Sequence, residues 1–115
     1  MGADSVGICY GLRYPLGVDA ELSDEMLLPL EQGKDPRMIA AKRVGLGSWF
    51  GRDTDGGQYF LYVGTFLGFS GVEGKQQLEV TDAALQETMR HTRELLTRAG
   101  LDGTPALHIQ LEAQY

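Results

Sequence analysis

Cysteine is almost absent: Cys9 is the one thiol in 115 residues. A single thiol excludes an internal disulfide, removes any need for an oxidising compartment, and excludes zinc held by paired thiolates. Basic residues are scarce as well. Ten Lys and Arg stand against sixteen Asp and Glu, a formal net charge of −6. That balance disfavours duplex nucleic acid and anionic membrane surfaces as partners, because both demand clustered cations. No apolar run approaches the ~20 residues that a bilayer-spanning helix needs. Residues Met1 to Val6 lack the basic start and apolar core of a secretory leader, so a cytoplasmic location is expected. Cofactor motifs are missing too: Gly64, Gly68, Gly71 and Gly74 are regularly spaced, but no Gly-Lys-Ser/Thr follows to make a phosphate cradle. No cofactor is expected.

What is present describes an ordinary globule with one excess. Hydrophobic residues make up 43% and charged residues 23% of the chain, enough to bury a core and too apolar for a disordered tail. The length suits a single domain over residues 1–115. Glycine is the excess: sixteen of 115 is about twice the usual share.

Periodicity organises the rest. Val6, Ile8, Tyr10, Leu12 and Tyr14 alternate with Gly7, Cys9, Gly11 and Arg13, the pattern of a half-buried strand that Pro15 should end. Ser23 is a candidate N-cap with Asp24 and Glu25 in the first turn, and Leu22, Met26 and Leu30 recur at helical spacing. Pro29 should keep this helix short or kinked, and Gly33 should close it. Asp35-Pro36 reads as a second helix start toward Arg43, or as the lead-in to a strand. Val44, Leu46 and Phe50 on one arm, and Tyr59, Leu61, Val63 and Thr65 on the other, predict a hairpin turning at Asp53–Gly57. Gly68 to Gly74 reads as a loop. Asp82 to Ala99 is the best helix, capped by Thr81 or Asp82, with Leu85, Met89, Thr92, Leu96 and Ala99 on one face, a Glu94–Arg98 pair, and Gly100-Leu101 as a Schellman end. Ala106 to Tyr115 alternates again.

The element order is β-α-β-β-α-β. It implies an α+β sandwich with ferredoxin-like, split β-α-β connectivity: an antiparallel sheet with helices on one face. An α+β sandwich of other connectivity is the alternative. In this arrangement the strand order is 4-1-3-2, and the helices should cover the parity of Val6, Ile8, Leu12, Leu46, Leu61, Val63, Leu107, Ile109 and Leu111.

The opposite parity carries the candidate site. It holds Gly7, Cys9, Gly11 and Arg13; Gly45, Gly47 and Trp49; Phe60, Tyr62, Gly64 and Phe66; and His108, Gln110 and Glu112. Rings beside a glycine floor make grooves, and strand glycine often marks close approach of a ligand or another backbone. An uncovered patch of this kind suits a second copy of the chain or another protein partner, with Trp49, Phe60, Tyr62, Gly11 and Gln110 as contact residues. A small-molecule groove on the same face is the alternative function. The bland alternative is that the rings shield the glycines for sheet stability alone.

Catalytic chemistry has one weak candidate. Cys9 and His108 fall on neighbouring strands and one face, and a thiol needs a base or cation beside it to ionise. A lone cysteine is more often a small apolar residue. His91 falls off the apolar face of the long helix. Asp53 and Asp55 suit turn chemistry better than a calcium loop, which needs six or more oxygens. Phe60 and Tyr62 resemble the base-stacking strand of RNA-recognition domains, which share this element order, but the acidic charge argues against RNA.

Overall fold

The computed structural model describes residues 5–18, 22–52, 57–71 and 79–112, with backbone only at 5–6, 68–71 and 111–112. It is a mixed α+β fold with one four-stranded antiparallel sheet. The elements are β1 (Ser5–Val18), α1 (Asp24–Glu31), α2 (Pro36–Arg43), β2 (Gly47–Arg52), β3 (Gln58–Gly71), α3 (Asp82–Ala99) and β4 (Ala106–Glu112). The sheet order is β2-β3-β1-β4, with every neighbouring pair antiparallel. Among the described residues no helix is long and apolar enough to cross a membrane.

Local chemistry explains the helices. Ser23 accepts from the Met26 N–H, Asp35 from the Arg37 N–H, and Thr81 from the Ala84 N–H, each satisfying a donor that the first turn leaves open. Asp35 also accepts two hydrogen bonds from the Arg37 guanidinium, both 3.0 Å. These bonds hold its carboxyl below the usual range. The lead-in to residue 36 is therefore a helix start. At the end of α3, Gly100 takes φ 73°. The Leu101 and Gly100 N–H groups donate to the Leu96 and Thr97 carbonyls, both at 3.0 Å, which is the expected Schellman closure.

Several expectations change. Pro15 does not end β1: the strand runs to Val18 through an irregularity between Pro15 and Gly17. The β1–β4 ladder stops at Gly11, so β1 has an unpaired side at Pro15, where a missing N–H is tolerated. The stretch from Gly68 to Gly71 is strand, not loop, because Ser5 to Ile8 supply its partners. Gly45 leaves the sheet for a turn at φ 86°, and β2 begins only at Gly47. Met26 is exposed, and Leu30 is the buried residue of α1. Glu94 is engaged by Arg90, which also holds Glu87, in place of the expected Arg98. The turn at Asp53–Gly56, the stretch Val72–Leu78 and the end of the last strand beyond Glu112 lie outside the described residues, as do the side chains of Val6, Leu111 and Glu112.

The core lies between the sheet and α1–α3. Leu12, Leu61 and Val63 meet Leu30, Ala41, Leu46, Leu95 and Leu96. One polar residue is buried there: Thr92, 0% exposed, donates to the Thr88 carbonyl and meets the Thr65 hydroxyl, both at 2.6 Å. Since Thr92 spends its proton on Thr88, Thr65 is the donor across the layers, and among the described residues no buried hydroxyl is unsatisfied. The helices pack over β1, β2 and β3. They leave part of the expected apolar parity bare: Leu107 is 49% and Ile109 66% exposed. Both are on the helix side, because they pair with Tyr10 and Ile8, and Tyr10 meets Arg93 of α3.

Candidate functional site

Register assembles the helix-free face. Cys9 sits opposite both Phe66 and His108, Gly7 opposite Gln110, Gly11 opposite Gly64, and Tyr62 opposite Arg13 and Trp49. Residues directly opposite across an antiparallel pair share a face. The parity expected from the sequence thus holds for Cys9, Gly11, Trp49, Phe60, Tyr62, His108 and Gln110. Gly45 is not on this face, and Gly51 joins it.

Tyr62 is the centre. It is 2% exposed although no helix lies on this side; other side chains cover it. Trp49 stacks on it with centroids 5.6 Å apart and planes 26° from parallel. His108 meets its edge at 5.7 Å, and Phe60 tilts against it at 6.4 Å. Its hydroxyl donates to Gln110 Oε1 at 2.5 Å. To reach β4 from β3 the side chain crosses β1, where Gly7, Cys9 and Gly11 present little bulk. Tyr62 therefore bridges three strands and stabilises the sheet, which is the shielding role weighed against a binding role above.

The glycines divide by what occupies their space. A Cβ on Gly47 would lie 2.9 Å from the Phe66 ring, and one on Gly51 would collide with the Trp49 ring. Those floors are filled by rings of the same chain. Gly51 was not among the expected site residues; its signal is its spacing of two from Trp49, which puts it under that ring on the same parity. Gly11 and Gly64 instead face backbone: a Cβ on Gly11 would strike the Val63 carbonyl, and one on Gly64 the Tyr10 carbonyl. Gly11 is thus buried against β3 and is not a surface where a partner could approach.

The proposed thiol–imidazole pair meets in register, but its chemistry points elsewhere. Cys9 is 3% exposed, and burial pushes its thiol up to about 12, so no thiolate forms near neutrality. His108 Nε2 donates to the Gly11 carbonyl at 3.2 Å. Burial holds the imidazole below its ordinary pKa, nearby Arg13 adds to this, and the Gly11 bond opposes it. His108 is a neutral, hydrogen-bonded ring at pH 7. Arg13 lies over the Phe60 ring at 4.5 Å, where a cation is favoured. His91 is exposed on α3, and among the described residues no three His, Cys, Asp or Glu come together as a metal site.

Depressions on this face are lined by described residues. One, among Cys9, Tyr62, Phe66, His108 and Gln110, encloses about 10 Å³, the room of a single water. Another is a groove of about 350 Å³ at the β2 edge, lined by Gly47, Ser48, Trp49 and Phe66. Phe66 was placed on this face by parity but not singled out as a contact residue; the groove depends on it. Comparison with known proteins finds no matching family model, no matching curated protein and no matching solved structure.

Proposed function

We propose that this chain is a small association domain whose contact surface is the helix-free face of its sheet. The proposal includes the ferredoxin-like connectivity. In its favour, α1 and α2 join β1 to β2, α3 joins β3 to β4, and the order β2-β3-β1-β4 reads 4-1-3-2 from the other edge.

The groove between Trp49 and Phe66 carries the reading. It is open and lined by Gly47, Ser48 and the rings of Trp49 and Phe66, a shape that receives one protruding apolar side chain from another protein. Trp and Phe are the anchor residues that protein interfaces favour. A small-molecule site has less support. Such sites add several convergent polar groups to an apolar wall, and Ser48 brings the one hydroxyl among the described lining residues. Catalysis through Cys9 has no support from a thiol held protonated.

Trp49 reports on this surface directly. Its emission should shift to the blue as the purified chain, or a candidate partner, is titrated upward, and Phe66→Glu should abolish the shift while leaving the melting transition cooperative. Emission unchanged up to millimolar chain, and with every partner offered, would return the face to intramolecular packing.

A further inference from the structure

Resting on that contact surface, we propose that its partner is a sparsely acidic, extended segment of another protein. One apolar side chain of the segment enters the Trp49–Phe66 groove, and a carboxylate of the same segment pairs with Arg13.

Arg13 points to the carboxylate. Strand register places it on the helix-free face, opposite Tyr62, and its guanidinium lies over the Phe60 ring at 4.5 Å. A guanidinium over a ring still has its N–H donors to place, and their planar fork fits a carboxylate with two hydrogen bonds. Arg13 is exposed, and among the described residues it has no ion pair. The chain as a whole is acidic, with a net charge of −6. Yet among the described side chains of this face, Arg13 is the one that is charged at pH 7; His108 is neutral there. Glu112 has the same parity, with its side chain outside the described residues. It pairs with Ser5, about 26 Å along β1 from Arg13. Charge complementarity at the rings therefore asks for an anion.

Other occupants match less well. A second copy set face to face would bring another Arg13 and, among its described side chains, no carboxylate. Nucleic acid would need rings on which bases stack. Tyr62 is 2% exposed and the Phe60 ring already carries Arg13, so neither is open to a base. The charge of −6 also repels a polyanion at long range, whereas a segment with one or two carboxylates meets Arg13 at contact. Spacing follows from the strand. Phe60 and Phe66 are six residues apart on β3, about 20 Å, so the carboxylate and the apolar anchor should stand about six extended residues apart.

Selection of random linear peptides on the immobilised chain tests this. Selected sequences should carry an apolar residue and, about six positions away, Asp or Glu. A synthetic peptide of the strongest such sequence should bind at least about threefold more tightly than its Asn or Gln counterpart, and more weakly as salt rises. Arg13→Gln should erase that preference and, because Arg13 is exposed, keep a cooperative melt. Phe66→Glu should remove binding of both peptides. Peptides that need Phe66 but show no preference for a carboxylate would overturn the acidic partner and leave the association face standing. So would a preference that survives Arg13→Gln, an oligouridine that displaces the peptide at equal concentration, or a second copy of the chain that excludes it. No selected peptide, or peptides that bind Phe66→Glu as tightly as wild type, would sink both readings.

Discussion

Gly11 and Gly64 lie opposite each other on β1 and β3 so closely that a Cβ on Gly11 would fall 2.7 Å from the Gly64 Cα. The two longest strands can approach this way only where neither carries a side chain. Tyr62, two residues from Gly64, uses the clearance to lie across β1 and reach Gln110.

Substitution at this crossing should be costly. Gly11→Ala and Gly64→Ala each place a methyl against backbone, which cannot rotate away, and should destabilise by about 2–3 kcal/mol. Gly33 has nothing within 4 Å of a Cβ and a φ of 69°, so Gly33→Ala should cost only about 1 kcal/mol of conformational strain. Urea denaturation of the three variants checks the ranking. Equal, small losses at all three would show that the strands separate freely at Gly11.

Cys9 should behave as a packed thiol. With its pKa pushed up to about 12 by burial, iodoacetamide should label it slowly in native buffer at pH 7.5 and quickly in denaturant. The native rate should not change in His108→Ala beyond the effect of any lost stability. Fast native labelling abolished by that substitution would reinstate the thiol–imidazole pair.

His108 should make the fold sensitive to acid. Its folded pKa is depressed, chiefly by burial, while the unfolded imidazole titrates near 6.5. As pH falls below about 6.5 the unfolded chain binds a proton that the folded chain refuses, so stability falls. The contribution is fully present above that pH and is lost as pH drops through the folded pKa. Melting temperatures from pH 7.5 to 5 should fall more steeply for wild type than for His108→Gln. Parallel slopes would remove His108 from the acid response.

Two aliphatic truncations should differ sharply. Leu96 is 3% exposed within the core, and Leu96→Ala should cost about 2–5 kcal/mol. Ile109 is 66% exposed, and Ile109→Ala should change stability by less than about 0.5 kcal/mol. Chemical denaturation at low micromolar concentration measures both. A large loss at Ile109 would mean that a helix covers β4 after all.

Local chemistry made much of this protein legible in its sequence. Ser23 and Gly100 act within a few residues of themselves, so those helix ends could be read without knowing the fold, whereas the sequence left Asp35 between a helix start and a strand lead-in and the α3 cap between Thr81 and Asp82. Strand parity is equally local: successive side chains point to opposite faces, so Phe60 had to share a face with Tyr62, and His108 with Gln110, while register set which faces of the four strands coincide. Tertiary structure decided everything that depends on distant partners. Gly68 to Gly71 reads as a loop by composition and becomes strand because Ser5 to Ile8 pair with it. Pro15 stays inside β1 because β4 stops short of it. Alternation marked Leu107 and Ile109 as apolar-side residues, but whether a helix covers them depends on where the helical layer sits across the sheet. Parity is a property of the backbone, whereas cover is a property of packing, and that is why the bare edge of β4 becomes visible only in the folded chain.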